Sequence, residues 1–113
     1  MDGGLRCVLN LHPAKSGLLE LGMIEKSRPV LILAYPQPAD ARVLVLVAPL
    51  TSQIRNQRGE VPLGKPRWLP KVSAVNVQGL ASFDPGKLVR RFGTLTADQY
   101  AAVKAALRDL LQL

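Results

Sequence analysis

The stretch RPVLILAY (28–35), PQPADA (36–41) and RVLVLVAPLTSQ (42–53) decides the fold. The two outer runs are dense in Val, Leu and Ile and bounded by proline, the composition of buried β-strands, which places strands at 29–35 and 42–50. The middle segment holds Pro36 and Pro38 and cannot be strand interior, so it is a turn. An antiparallel hairpin follows, in which the start of the first strand lies beside the end of the second. Each strand carries one polar residue at that shared end: Arg28 opens the first and Thr51 closes the second. A guanidinium fork and a hydroxyl converging on one point suit an anion, a phosphoryl group above all.

Outward from the hairpin, the chain continues in short apolar segments separated by Gly, Pro and Asp. LRCVLNL (5–11) alternates weakly and predicts a first strand. GLLELG (17–22) predicts a short strand closed by Gly22. Residues 52–71 form a polar, basic excursion with a short strand, EVPL, inside it. VSAVNVQGL (72–80) predicts a strand with one exposed face, from which Asn76 and Gln78 project. FDPGKLVRRFG (83–93) reads as a turn followed by a short strand or a helical turn.

The C-terminal segment is helical. Thr96 is an N-cap with Gln99 three residues on, a capping box, and Leu95 and Tyr100 take the staple positions. Tyr100, Val103, Leu107, Leu110 and Leu111 follow helical spacing as one buried stripe, with Lys104 and Arg108 on the polar side. Strands first and one closing helix describe a mainly β domain: a small, strongly bent β-barrel with a terminal α-helix packed on it.

At 113 residues the chain is a single domain, 1–113, with one core. The hydrophobic share is 48% with 4% aromatic, so that core is aliphatic. Fifteen Lys and Arg against eight Asp and Glu give +7, a field that favours a polyanionic partner. Cys7 is the only cysteine, which excludes an internal disulfide and a cysteine-rich metal site and fits a reducing compartment. No apolar run approaches a membrane span, and residues 1–17 lack a signal-peptide core, so a cytoplasmic protein is expected, with no membrane association. No P-loop, glycine-rich nucleotide fingerprint, carboxylate pair or metal-ligand cluster occurs, so neither metal nor cofactor is implied. His12 is the sole histidine, which excludes a mechanism built on two.

Several further residues have two readings each. Ser52 and Gln53 either contact phosphate and base edges or belong to a solvated loop. Asn76 and Gln78 either line a groove or are plain surface. Arg55, Arg58, Lys65, Arg67 and Lys71 surround Trp68 in the most basic stretch, predicting a nucleic-acid-binding flank with the indole as stacking platform. The alternative is a Trp that plugs the barrel mouth. Arg28 itself either holds an anion or pairs with a carboxylate such as Glu20 or Glu25, and Thr51 either donates to the anion or ends its strand by local backbone bonding.

The blocks GMIEKSRPVLIL, VLVAPLTSQIRNQ, SAVNVQGL and KLVRRFGTLTADQYAAVKAALRDLL, in that order, resemble the MazF/PemK family of endoribonuclease toxins. The likeness runs from about residue 15 to the C-terminus. It implies an SH3-like barrel, usually a homodimer, that cuts single-stranded RNA without metal or ribosome unless a small acidic antitoxin covers the site. Arg28 matches the family's catalytic arginine and Thr51 its catalytic threonine. Ser52, Gln53, Arg55, Arg58, Arg67, Trp68, Asn76 and Gln78 are then the expected RNA-binding set. The chain departs from the family in its first strand, which lacks an aromatic residue, and in a short connection before Arg28. A non-catalytic barrel that binds nucleic acid or a regulatory protein is the competing reading, and a gyrase poison on a related barrel a third.

Overall fold

A computed structural model describes residues 19–25 and 28–113. The strand expected at 5–11, with Cys7, and His12 lie outside them. Seven strands form one bent antiparallel sheet: β1 (Glu20–Ile24), β2 (Arg28–Ala34), β3 (Val45–Thr51), β4 (Glu60–Gly64), β5 (Ser73–Asn76), β6 (Ala81–Phe83) and β7 (Leu88–Thr94), followed by one helix, α1 (Ala97–Leu111). Neighbours run β4-β5-β3-β2-β1-β7, with β6 also on β3. The mainly β, barrel-like fold with a terminal helix is therefore as expected.

The predicted hairpin is the centre of the sheet. β2 and β3 pair antiparallel, Val30 opposite Pro49, Leu31 opposite Ala48 and Ile32 opposite Val47. β3 begins at Val45 rather than at 42, because β2 ends at Ala34, whose partner is already Leu46. Among the described residues Arg42 and Val43 pair with no strand, and both are exposed.

On its other edge β3 serves two strands. Val45–Val47 pair with β6, while Leu50 and Thr51 pair with Val75 and Ala74 of β5. A single 3-10 turn, Val77–Gly79, joins them. This corrects the strand expected over 72–80, which stops at Asn76. The reason is steric and local: a Cβ on Gly79 would lie 2.6 Å from the Pro49 ring, so the chain turns there on a glycine. The Asn76 side chain caps the turn by accepting from the Gln78 N–H at 3.1 Å. This corner bends the sheet into its barrel-like shape.

Gly22 is likewise not a stop. It sits inside β1, where a Cβ would meet Leu88 Cδ1 at 2.9 Å and the Arg90 carbonyl oxygen at 3.1 Å. The β1–β7 register shifts beside it. The segment at 83–93 resolves into a 3-10 turn, Pro85–Lys87, and a full strand, β7, rather than a helical turn.

Alternation along the central strands makes two cores. Leu21, Leu31, Ala48, Val75 and Val77 face Leu95 and Val103 of the helical segment. Ile24, Val30, Ile32, Val45, Val47 and Leu88 pack on the other face, under Tyr35, Ala81 and Phe83. The capping box is formed: Thr96 Oγ1 accepts from the Gln99 N–H at 3.1 Å, and Gln99 Oε1 accepts from the Thr96 N–H at 2.9 Å. Val103 is the fully buried residue of the stripe; Leu111, placed on it by spacing, is 51% exposed.

Candidate active site

The site lies where the β2–β3 ladder ends. Its last pair on this side is Val30–Pro49, with Pro29 the next residue of β2, and proline brings no N–H to a ladder. Continuing the register two steps would set Arg28 opposite Thr51, but no β2–β3 pair is formed there; Leu50 and Thr51 pair through the other edge of β3 with β5. A cavity of about 330 Å³ lies at this end of the two strands. Arg28, Pro29, Pro49, Leu50, Gly79 and Phe83 are among its lining residues. Val47, Pro49 and Leu50 of β3 line it; Thr51, the next residue, does not and lies just beyond it at the end of β3.

Arg28 is exposed and pairs through its backbone with Ile24 across the short connection, 25–27. Of its two alternative carboxylate partners, Glu20 is engaged elsewhere. Tyr35 donates its hydroxyl to Glu20 Oε1 at 2.5 Å, and Arg91 Nη1 donates to the same oxygen at 3.2 Å. Glu25 lies near Arg28 in a neighbouring cavity, yet no ion pair within 4.0 Å engages either among the described residues. Among the described residues the guanidinium is therefore not engaged in an ion pair.

Thr51 does show the local bonding expected of a strand end: its Oγ1 accepts from the Gln53 N–H at 3.0 Å. The two readings of this residue are compatible. A hydroxyl that accepts through one lone pair still has its proton to give, and the bond from Gln53 fixes the oxygen that gives it.

The remaining expected residues separate into four groups. Ser52, Gln53 and Arg55 follow Thr51 on an exposed loop, whose backbone is gathered by the Glu60 carboxylate accepting from the N–H groups of Arg55 and Gln57 at 3.0 and 3.2 Å. Asn76 and Gln78 border the same region, because Ala74 pairs with Thr51 and the Val77 N–H donates to Gly59 at 2.9 Å. They do not share a strand face, since the strand has ended between them. Arg58 is turned to structural use: its Nε donates to Asp109 Oδ2 at 2.8 Å and its Nη2 to the Asp109 carbonyl at 3.0 Å, tying the loop to the end of α1.

Arg67 is exposed, and Trp68 packs edge-on to Phe92 at 5.9 Å between ring centres. A Cβ on Gly93 would lie 2.9 Å from the indole, so this glycine is a seat for the ring. Trp68 belongs to the core of Leu21 and Leu31, whereas Arg28 lies on the face of Val30 and Ile32. The ring is half-buried against this core, on the opposite side of the sheet from Arg28.

Sequence reasoning missed three things: the cavity residue Phe83, Lys87 in the neighbouring cavity, and the Glu20–Tyr35–Arg91 cluster. The D-P-G turn before Lys87 was the available signal for the first two. In the cluster, burial and the bond to the Glu20 carboxylate push the Tyr35 hydroxyl up to about 12. Folded Tyr35 therefore holds its proton where the unfolded chain has lost it. This contribution to stability is complete below the unfolded value of 10.0 and disappears as pH rises towards 12. Tyr35→Phe should flatten the fall in urea midpoint between pH 9.5 and 11.5 relative to the parent protein.

Comparison with known proteins bears on this geometry. A family model described as the PemK-like, MazF-like toxin of type II toxin–antitoxin systems matches residues 10–111. The chain belongs to this family. It is 30% identical over 95 residues to Endoribonuclease MazF3 of Mycobacterium tuberculosis, covering 84% of this chain and 92% of that protein. The fold matches the M. tuberculosis toxin MazF-mt6 with a TM-score of 0.70 at 29% identity, over 85% of this chain and 97% of the other. A MazE–MazF crystal structure from Deinococcus radiodurans, form III, matches with a TM-score of 0.66 at 26% identity, over 82% and 92%. In this MazF-like toxin Arg28, in no ion pair within 4.0 Å among the described residues, lines the cavity at the end of the central hairpin. No helix among the described residues is long and apolar enough to cross a membrane.

Proposed function

We propose that this MazF-like toxin is a metal-independent endoribonuclease that cleaves single-stranded RNA at a short motif, with Arg28 and Thr51 as its catalytic residues. The observation that carries the reading is Arg28, exposed in the cavity and in no ion pair within 4.0 Å among the described residues, with Thr51 at the neighbouring end of β3. The 2′-oxygen of one nucleotide attacks the adjacent phosphorus; the 2′ O–P bond forms, the P–5′ O bond breaks, and a 2′,3′-cyclic phosphate remains. The 2′-hydroxyl loses a proton and the departing 5′-oxygen gains one. Charge grows on the two non-bridging oxygens in between. The Arg28 fork holds them bidentately, and the Thr51 hydroxyl, oriented by Gln53, donates to one. A guanidinium does not give up its proton in proteins, so Arg28 is assigned charge stabilisation and not proton transfer.

Ser52, Gln53, Arg55, Asn76 and Gln78 form the rim along which the RNA runs, with Arg67 a more distant cation. Arg58 and Trp68 support the fold around it. The net charge of +7 favours a polyanionic substrate. The same charge suits a small acidic antitoxin, and the MazE–MazF structure from D. radiodurans supports such a partner here. A homodimer in the cytoplasm completes the proposal, on the family likeness.

The test is digestion of a long single-stranded RNA by the purified protein in excess EDTA. Discrete cuts ending in cyclic phosphate are expected. Salt-sensitive RNA binding without any cut would establish the non-catalytic alternative instead.

A further inference from the structure

The cavity at Arg28 does not end there. A second one, of about 180 Å³, shares Ile24, Arg28 and Phe83 with it and is completed by Glu25 and Lys87. Whatever is anchored on Arg28 therefore has a continuation between these two charges. Resting on the endoribonuclease reading, we propose that Glu25 and Lys87 select a guanine beside the scissile phosphate.

The two residues stand on a fixed frame. The Glu25 N–H donates to the Lys87 carbonyl at 3.0 Å, joining the end of β1 to the start of β7. The Lys87 N–H donates to the Asp84 carbonyl at 2.9 Å, and Asp84 Oδ1 accepts from the Gly86 N–H at 2.8 Å, closing a turn around the buried Pro85. Both side chains are exposed, and neither is in an ion pair within 4.0 Å among the described residues. Such a pair is offered to a ligand and not spent internally.

A carboxylate in the path of RNA repels phosphates, so its productive partners are N–H donors on a base edge. A carboxylate takes two parallel N–H groups best. Guanine alone among the RNA bases presents two adjacent donors of this kind, N1–H and N2–H, with the O6 acceptor next to them for an ammonium. Adenine and cytosine offer one exocyclic amine beside an acceptor, and uracil one imino group between two acceptors. The Phe83 ring, common to both cavities, supplies a face on which the base stacks. Lys87 beside Glu25 thus reads the base edge instead of merely neutralising phosphate.

The experiment is cleavage of a random-sequence RNA pool, with sequencing of the cut ends, by the parent protein, Glu25→Gln and Lys87→Met. The parent should show guanine enriched at one fixed position flanking the cut. In Glu25→Gln that enrichment should fall by about tenfold or more, in line with the loss of a bidentate base contact, and preferences at other positions should stay. Lys87→Met should lower the same enrichment. Unfolding curves matching the parent's would show that both variants fold. A parent that cuts with no guanine preference beside the cut, or variants that keep the parental motif, would overturn this proposal and leave the endoribonuclease reading intact. A parent that cuts no RNA would overturn both.

Discussion

Arg28→Ala is expected to lower the single-turnover rate of RNA cleavage by about two to three orders of magnitude, the usual cost of deleting one preorganised donor to a developing oxyanion. Its unfolding midpoint should not move. Arg28 is exposed and makes no ion pair within 4.0 Å among the described residues, so its removal takes nothing from the fold; exposed substitutions of this kind usually stay within about 0.5 kcal/mol. Arg28→Lys separates charge from shape. An ammonium keeps the charge but loses the planar fork that grips two oxygens, so it should remain at least about tenfold slower than the parent, a fraction of the loss in Arg28→Ala. Rates within threefold of the parent for Arg28→Ala would remove this residue from the mechanism.

Leu31→Ala carries the second large effect, on stability. Leu31 is 0% exposed at the middle of β2 and belongs to the larger core, which joins the sheet to Val103 of α1. Truncation leaves a cavity walled by neighbours that cannot collapse into it, at about 2–5 kcal/mol, a large fraction of the 5–15 kcal/mol typical of a domain. The urea midpoint should fall accordingly, with an unchanged slope. Val43→Ala makes the control: Val43 is 55% exposed and precedes β3, so its midpoint should hardly change. A small effect at Leu31 would mean that the two cores are not those described.

The central hairpin was legible because its signal is local: two aliphatic runs, prolines at their ends and a proline turn between them. The helix was legible for the same reason, since Thr96 and Gln99 complete a capping box within four residues. What could not be read were features set by partners distant in sequence. Gly22 looks like a stop until Leu88 and the Arg90 carbonyl are seen against it. The alternation in 72–80 suggests one strand, until Pro49 forces Gly79 into a turn. Trp68 among cations suggests a stacking platform, and only the seat provided by Gly93 and Phe92 shows that the ring is packed.

At the candidate site the same division holds. Arg28 and Thr51 were placed at one end of the hairpin by the antiparallel rule alone. Whether Arg28 would be captured by a carboxylate depended on where Glu20 pointed, and Glu20 is held by Tyr35 and Arg91 from β7, some seventy residues away in sequence. Pro29 and Pro49, at the end of the ladder, were visible in the sequence. That β3 pairs beyond Pro49 only through its other edge, with β5, appears only in the structure.

The most direct measurement of the central claim is cleavage of a short RNA that carries one strong cut site, compared with the same RNA bearing a single 2′-deoxy nucleotide immediately 5′ to that bond. Attack by the 2′-oxygen on the adjacent phosphorus, stabilised by Arg28 and Thr51, predicts rapid cutting of the first in EDTA and none of the second. Cleavage of the deoxy-substituted strand at the same bond would contradict it.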